Sequence, residues 1–255
     1  MLRIYALCCG ALEFDRRLFF PAEAPGTRFA APVSSYLVVH PKGKLVFDTG
    51  ISCDALADPA GRLGKRVASL FALRSRTGED VVSQLALLGI EPEEIRYVVN
   101  SHFHFDHCGC NASFPRAQFL VQRAELAIAR AESNRYNAKD WNHPLEYREI
   151  DGEHDVFGDG TVLLLPTPGH TAGHQSLWIR LDATTQFVLT ADACYTQEHL
   201  EKTILPTPAS VHDAAQMTHS LMKLRGMRDR QGVSLLYGHD AGQWDAMPHA
   251  PRPFI

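Results

Sequence analysis

The sequence predicts an α/β protein, and three observations carry that prediction. Short β-rich runs alternate with stretches of helical composition along the 255 residues. Hydrophobic residues make up 45% and charged residues 21%, the balance of a globular protein rather than a disordered chain. Four of the apolar runs end within a few residues of a histidine or aspartate, the usual way to mount chemistry on loops of a rigid scaffold.

The elements follow in order. MLRIYALCCGALEFDRR opens with an apolar run too short to span a membrane and without a small-residue cleavage site, so we expect a first strand with buried thiols. Tyr36–Val39 and Lys44–Phe47 flank Pro-Lys-Gly as a hairpin ending in Asp48-Thr49-Gly50. A helix is expected after Thr77, with Asp80 at the capping-box position, Val81, Leu85 and Leu88 on its apolar face and Gly89 at its end. Residues 122–132 form a second helix. A third opens at Ser210 with Asp213 and closes at Gly226. The segment from Ser133 to Phe157 reads as a polar, irregular excursion.

The four ligand-bearing runs are Ile95–Val99 before the histidine cluster, Val162–Leu165 before His170, Phe187–Thr190 before Asp192, and Val233–Tyr237 before His239. A shared sheet edge would make these groups converge. One His-x-His pair is weak evidence, since alternate residues of any strand face the same way. His102-x-His104-x-Asp106-His107 is much stronger, because burying such a polar cluster without a ligand is costly. With His170, Asp192 and His239 the donors suit two zinc-like ions of low coordination number. The six cysteines show no paired spacing and read as reduced thiols, which points to the cytoplasm. Cys108 and Cys110 read as small buried residues beside the motif.

HFHFDH at 102–107, PTPGHTAGH at 166–174, TAD at 190–192 and YGHD at 237–240 resemble the metallo-β-lactamase superfamily of hydrolases. The resemblance runs from the Asp48 turn to His239. It implies a four-layer αββα sandwich, the metallo-β-lactamase fold, here as one hydrolase domain over residues 1–255. It also implies two divalent metal ions, expected to be Zn2+. His102, His104 and His170 would hold the first; Asp106, His107 and His239 the second; Asp192 would bridge both. Such a pair can share a hydroxide whose pKa falls towards ~7.

Tyr195, three residues after Asp192, resembles the tyrosine of the N-acyl-homoserine lactonase branch. In that reading the bridging hydroxide attacks the lactone carbonyl, Tyr195 assists at the developing oxyanion, and Asp106 passes a proton to the departing ring oxygen. The implied role is quorum quenching. Phe19 and Phe20, within Leu12–Pro32, either cover the substrate or pack across a sheet edge, and Phe105 faces either substrate or core. NSHFHFDHCGC and TADACYTQEHLE are also similar to pyridoxolactonase, which keeps an aromatic-fused lactone as the alternative substrate.

Rivals from other classes fit less well. A class-B β-lactamase would carry cysteine where Asp192 stands, and a glyoxalase II-type thioester hydrolase would add a C-terminal helical region. A net charge of −4 without a basic run argues against a nucleic-acid partner. The expected partners are a small lactone and, if any protein, a second copy, the chain being a monomer or homodimer without membrane attachment. Asp48 is placed equally well as a turn residue or as an acceptor behind a ligating imidazole.

Overall fold

The computed structural model describes residues 2–132 and 135–254. Its strands are β1 (Arg3–Asp15), β2 (Arg28–His40), β3 (Gly43–Phe47), β4 (Ala72–Arg74), β5 (Ile95–Val99), β6 (Gln118–Gln122), β7 (Glu146–Ile150), β8 (His154–Asp155), β9 (Val162–Pro166), β10 (Gln175–Arg180), β11 (Gln186–Leu189) and β12 (Ser234–Leu236). One sheet runs β4-β1-β2-β3-β5-β6-β7, the other β12-β11-β10-β9-β8. Ile4, Val38, Leu45 and Val99 of the first sheet meet Leu164, Leu177, Ile179 and Leu189 of the second in a central apolar core. The helices are α1 (Cys53–Ala57), α2 (Pro59–Leu63), α3 (Lys65–Leu70), α4 (Val81–Ala86), α5 (Phe105–Cys108), α6 (Arg123–Ala131), α7 (Ala138–Trp141), α8 (Gln197–Lys202), α9 (Ala214–Gln231) and α10 (Ala241–Ala246), and helices cover the outer faces, which completes the αββα sandwich. Among the described residues, no helix is long and apolar enough to cross a membrane.

Both faces of the central strands are buried, so neighbouring residues serve different cores. Leu37 and Val46 pack outward with Val81 and Leu85 of α4 (Val81–Ala86), while Val38 and Leu45 point between the sheets. On the other side Leu165, Val188 and Leu235 pack under Leu221 and Leu224 of the long helix α9 (Ala214–Gln231). The parity of β1 changes along its length. Ile4 and Ala6 face the central core, but the register with β2 shifts between Cys8 and Ala11, and Leu12 and Phe14 then face outward. One extra residue in a strand reverses the facing of everything beyond it. Gly10 makes the bulge possible, with φ +91° and Arg74 O only 2.5 Å from where a Cβ would lie.

Helix boundaries differ from expectation at three places. Asp80 itself is the N-cap of α4, accepting from Ser83 N–H at 2.9 Å. Thr77 lies outside because Gly78, at φ +88°, interrupts the helical path. Asp213, not Ser210, caps α9. That helix runs through Gly226 to a left-handed Gly232, since an interior glycine costs only ~1 kcal/mol while packed turns on either side hold it. The stretch expected to be irregular holds α7 (Ala138–Trp141), β7 and β8; Ser133, with which that expectation began, lies outside the described residues. The ligand-bearing strands also do not share one sheet: β5 belongs to the first, and β9, β11 and β12 to the second.

Gly10→Ala is expected to lose ~1–3 kcal/mol in urea unfolding, because it adds both positive-φ strain and a backbone clash. Gly26→Ala should cost less, since its φ of +89° is equally strained but nothing lies within 4 Å of the added methyl.

Candidate metal centre

The ends of β5, β9, β11 and β12 open onto one end of the sandwich. After β5 the chain turns through Asn100-Ser101-His102 into the short helix α5 (Phe105–Cys108), whose first turn carries Asp106 and His107. The loop after β9 brings His170, the turn after β11 brings Asp192, and the turn after β12 brings His239.

These residues fall into two groups. His102, His104, His170 and Asp192 form one, and Asp106, His107 and His239 the other, with donor atoms in each group within 4.8 Å of one another. In the first, His170 Nε2 lies 3.2 Å from His102 Nε2 and 2.9 Å from His104 Nδ1, and the last two are 3.0 Å apart. In the second, His107 Nε2 is 3.6 Å and His239 Nε2 3.9 Å from Asp106 Oδ2. Asp192 reaches both: Oδ2 is 3.1 Å from His170 Nε2, and Oδ1 is 3.0 Å from His239 Nε2 and 3.2 Å from His107 Nε2.

Outer contacts fix which nitrogen faces inward. The carboxylate of Asp48 accepts from Ser101 N–H (2.6 Å), Ser101 Oγ (2.7 Å) and His107 Nδ1–H (2.8 Å). Ser101 Oγ, its proton spent on Asp48, accepts from His102 Nδ1–H at 3.0 Å. His239 Nδ1–H donates to Pro32 O at 2.9 Å, and His170 Nδ1 meets the Tyr195 hydroxyl at 3.1 Å. Four of the five rings thus have Nδ1 engaged outside and present Nε2 within, whereas His104 presents Nδ1. Of the two readings of Asp48, it takes the one behind a ring, and the turn conformation (φ +59°) aims it there.

This donor set fits cations. Several inward lone pairs meet at hydrogen-bond distance with too few protons between them, and His107 Nε2 and Asp192 Oδ1 are buried without a hydrogen-bond partner. Burial and neighbouring rings hold His102 and His104 well below the usual imidazole range, and burial brings His170 down to about 4, so all three are neutral as metal ligation needs. In the second group burial also opposes charge. There Asp192, Asp106 and Asp48 outweigh it and raise His107 far above its ordinary value, and Asp192 raises His239. Positive charge is what that half of the site calls for. The arrangement is that of a dinuclear centre, with two His/Asp clusters sharing one carboxylate.

A cavity lies over the clusters, lined by Phe19, His104, Asp106, His170, Asp192, Tyr195 and His239, with an apolar wall of Leu12, Leu18, Val67, Leu70 and Phe71. Tyr195 is buried and stacked on Phe19, centroids 4.0 Å apart. Burial, Asp192 and Asp106 push its phenol well above the ordinary range, so it stays protonated. For Phe20 and Phe105, left open between substrate and packing, the structure shows packing contacts. Phe20 lies behind Phe19, packed on His199 (4.4 Å) and under the Arg16 guanidinium (4.0 Å). Phe105 packs toward Phe71 at 5.9 Å; neither ring lines the cavity. Phe105 opens helix α5 and Phe20 follows the 3-10 turn at Arg16–Leu18, and neither backbone aims its ring at the opening. Arg66 and Arg135 also line the cavity and Glu125 is buried, and no motif in the sequence marks any of the three. Cys108 and Cys110 are buried, their thiols turned to His104 O and Ile51 O.

Known proteins resemble this chain along nearly its whole length. The sequence pattern of the metallo-beta-lactamase superfamily matches residues 28–239. The chain is 34% identical to N-acyl homoserine lactonase AttM of Rhizobium johnstonii, over 98% of both chains. It is 33% identical to the protein of that name from Azorhizobium caulinodans, over 98% of this chain and 97% of the relative. A solved N-acyl homoserine lactone hydrolase, with the product N-hexanoyl-L-homoserine at its catalytic metal centre, superposes with a TM-score of 0.88 at 29% identity and 98% coverage of both chains.

Beneath Phe19 and Tyr195, His199 accepts from Thr196 Oγ at Nδ1 (2.8 Å) and donates from Nε2 to Phe19 O (3.0 Å); burial pushes its pKa down to about 4. The unfolded chain takes up that proton near ~6.5, so this site's contribution is complete above that pH and is lost as pH falls towards 4. Urea unfolding from pH 7 to pH 4 should therefore show a flatter stability profile for His199→Leu than for the parent. Parallel profiles would contradict this.

Proposed function

The chain belongs to the metallo-β-lactamase superfamily, and on that premise we propose that it is a dinuclear-metal lactonase that opens N-acyl-L-homoserine lactones. The observation that carries this reading is Asp192, which offers one oxygen to each of two ligand clusters at the floor of a largely apolar cavity. His102, His104 and His170 would hold the first ion, Asp106, His107 and His239 the second, and Asp192 both; zinc suits this nitrogen and carboxylate set. Two such ions, when bound, supply a nucleophilic water at neutral pH and polarise the carbonyl under attack.

The chain's own groups then have defined tasks. His170 Nδ1–H donates to the Tyr195 oxygen, which leaves the phenol proton free for the lactone carbonyl oxygen. That hydrogen bond strengthens as negative charge grows there. Asp106 lines the cavity, where it can take the proton that the attacking water gives up and deliver it to the ring oxygen as the C–O bond breaks. The product is an open N-acyl-homoserine. Leu12, Leu18, Phe19, Leu70 and Phe71 would receive the acyl chain, and Arg135 can donate to its amide carbonyl.

The deciding test is a turnover panel of acyl-homoserine lactones against an aromatic-fused lactone, a β-lactam and a glutathione thioester. Preference for the acyl lactones is expected; preference for the fused lactone would transfer the substrate to the pyridoxolactonase type. Tyr195→Phe should slow ring opening by roughly ten- to a thousandfold with metal content unchanged. Asp192→Ala should lose metal and activity together, and a fully metallated, active variant would remove Asp192 from its bridging position.

A further inference from the structure

We infer that Glu125 is a positioning residue for the first ligand cluster: it binds no ion itself but locks the loop carrying His102 and His104 to the loop carrying His170. This rests on the metal-binding part of the function proposed above.

Glu125 stands in the first turn of α6 (Arg123–Ala131), fully buried, and no ion pair to it is present among the described residues. Its carboxylate has three partners. Oε1 accepts from Phe103 N–H at 3.0 Å, between the two histidines of the His-x-His pair. Oε2 accepts from Thr171 Oγ at 2.6 Å and Gly173 N–H at 3.0 Å, just past His170. One carboxylate therefore spans both loops that supply the first cluster, whose inward nitrogens are set 2.9–3.2 Å apart. Gly173 permits this approach, because a Cβ there would lie 2.1 Å from Glu125 N.

Two features make the effect local. The second cluster is held from elsewhere, by Asp48 behind His107 and Pro32 behind His239. The two loops also keep a separate tie further from the opening, where Gln175 N–H donates to Ser101 O (3.0 Å) and Gln175 Nε2 to Asn100 O (2.8 Å). Loss of the Glu125 contacts should thus loosen the first cluster without separating the sheets. Glu125→Gln keeps the side chain's shape but replaces one acceptor oxygen with a donor. Either orientation of the amide then sets an N–H against a backbone N–H of Phe103 or Gly173.

The experiment is a Zn2+ titration of the full-length, metal-free protein, read ring by ring through 15N-histidine NMR with chelator competition. In Glu125→Gln, affinity reported by His102, His104 and His170 should fall about 10- to 100-fold, the range for outer contacts of metal ligands, while that reported by His107 and His239 changes by no more than about threefold. Thr171→Val, which deletes one donor, should show the same selectivity with a smaller loss. Unchanged affinity in both variants, or equal loss at both clusters in step with a lowered Tm, overturns the inference. Should Glu125→Gln not fold, Thr171→Val decides between those outcomes. A parent protein that fails to take up two ions would instead overturn the function proposed above.

Discussion

Asp192 is a buried carboxylate that two sets of imidazoles approach from opposite sides, and most of the surrounding structure keeps it in place. Its backbone N–H donates to His174 Nε2, and His174 Nδ1 meets Thr167 Oγ. The preceding Ala191 sits at φ +44°, a conformation a residue with a Cβ adopts only at a cost. Thr190 holds that turn, its hydroxyl within reach of the Cys194 and Leu236 carbonyls. Asp48, at φ +59°, is the second strained residue of the site, and it too aims a carboxylate at the ligands. Strain of this kind persists where surrounding hydrogen bonds overdetermine the backbone, and here both instances lie beside the same pair of clusters.

The sandwich explains how such a site can be assembled. No single sheet supplies it. The first contributes the loop after β5, and the second contributes the turns after β9, β11 and β12, so the clusters straddle the seam between the two. Central-core residues such as Val99, Leu189 and Leu236 immediately precede the ligand-bearing turns, and the packing that joins the sheets is therefore also what sets distances among the donors. Densely packed interiors resist small displacements, which suits a centre that tolerates little geometric error. Glu125 and Gln175 add hydrogen bonds across the same seam.

Local features were legible where several signals coincided within one turn of chain. HFHFDH, the His170 loop, Asp192 and His239 each follow a short apolar run, and those runs are strands. Helix ends were less legible because capping signals recur. Thr77 and Asp80, or Ser210 and Asp213, offer equivalent side chains three residues apart, and the second of each pair is the cap. Gly226 and Gly232 pose the same ambiguity at the other end of α9. The elements between residues 138 and 155 were not legible, because short strands and a one-turn helix leave little periodicity to detect.

By itself, the sequence determined the donor inventory and its order along the chain, since the chemistry of a ligand resides in the side chain. It also carried the alternation that builds two-faced strands. Only the tertiary structure decided which donors group together, which nitrogen each ring presents, and which residues wall the cavity. Leu12 reaches that wall because a bulge at Gly10 reverses the facing of β1, and Leu70, Phe71 and Arg135 reach it from segments remote in sequence. Phe20 and Phe105, close in sequence to lining residues, turn away from it. The physical reason is that side-chain facing depends on register and on long-range packing, neither of which is encoded at the position whose facing they set.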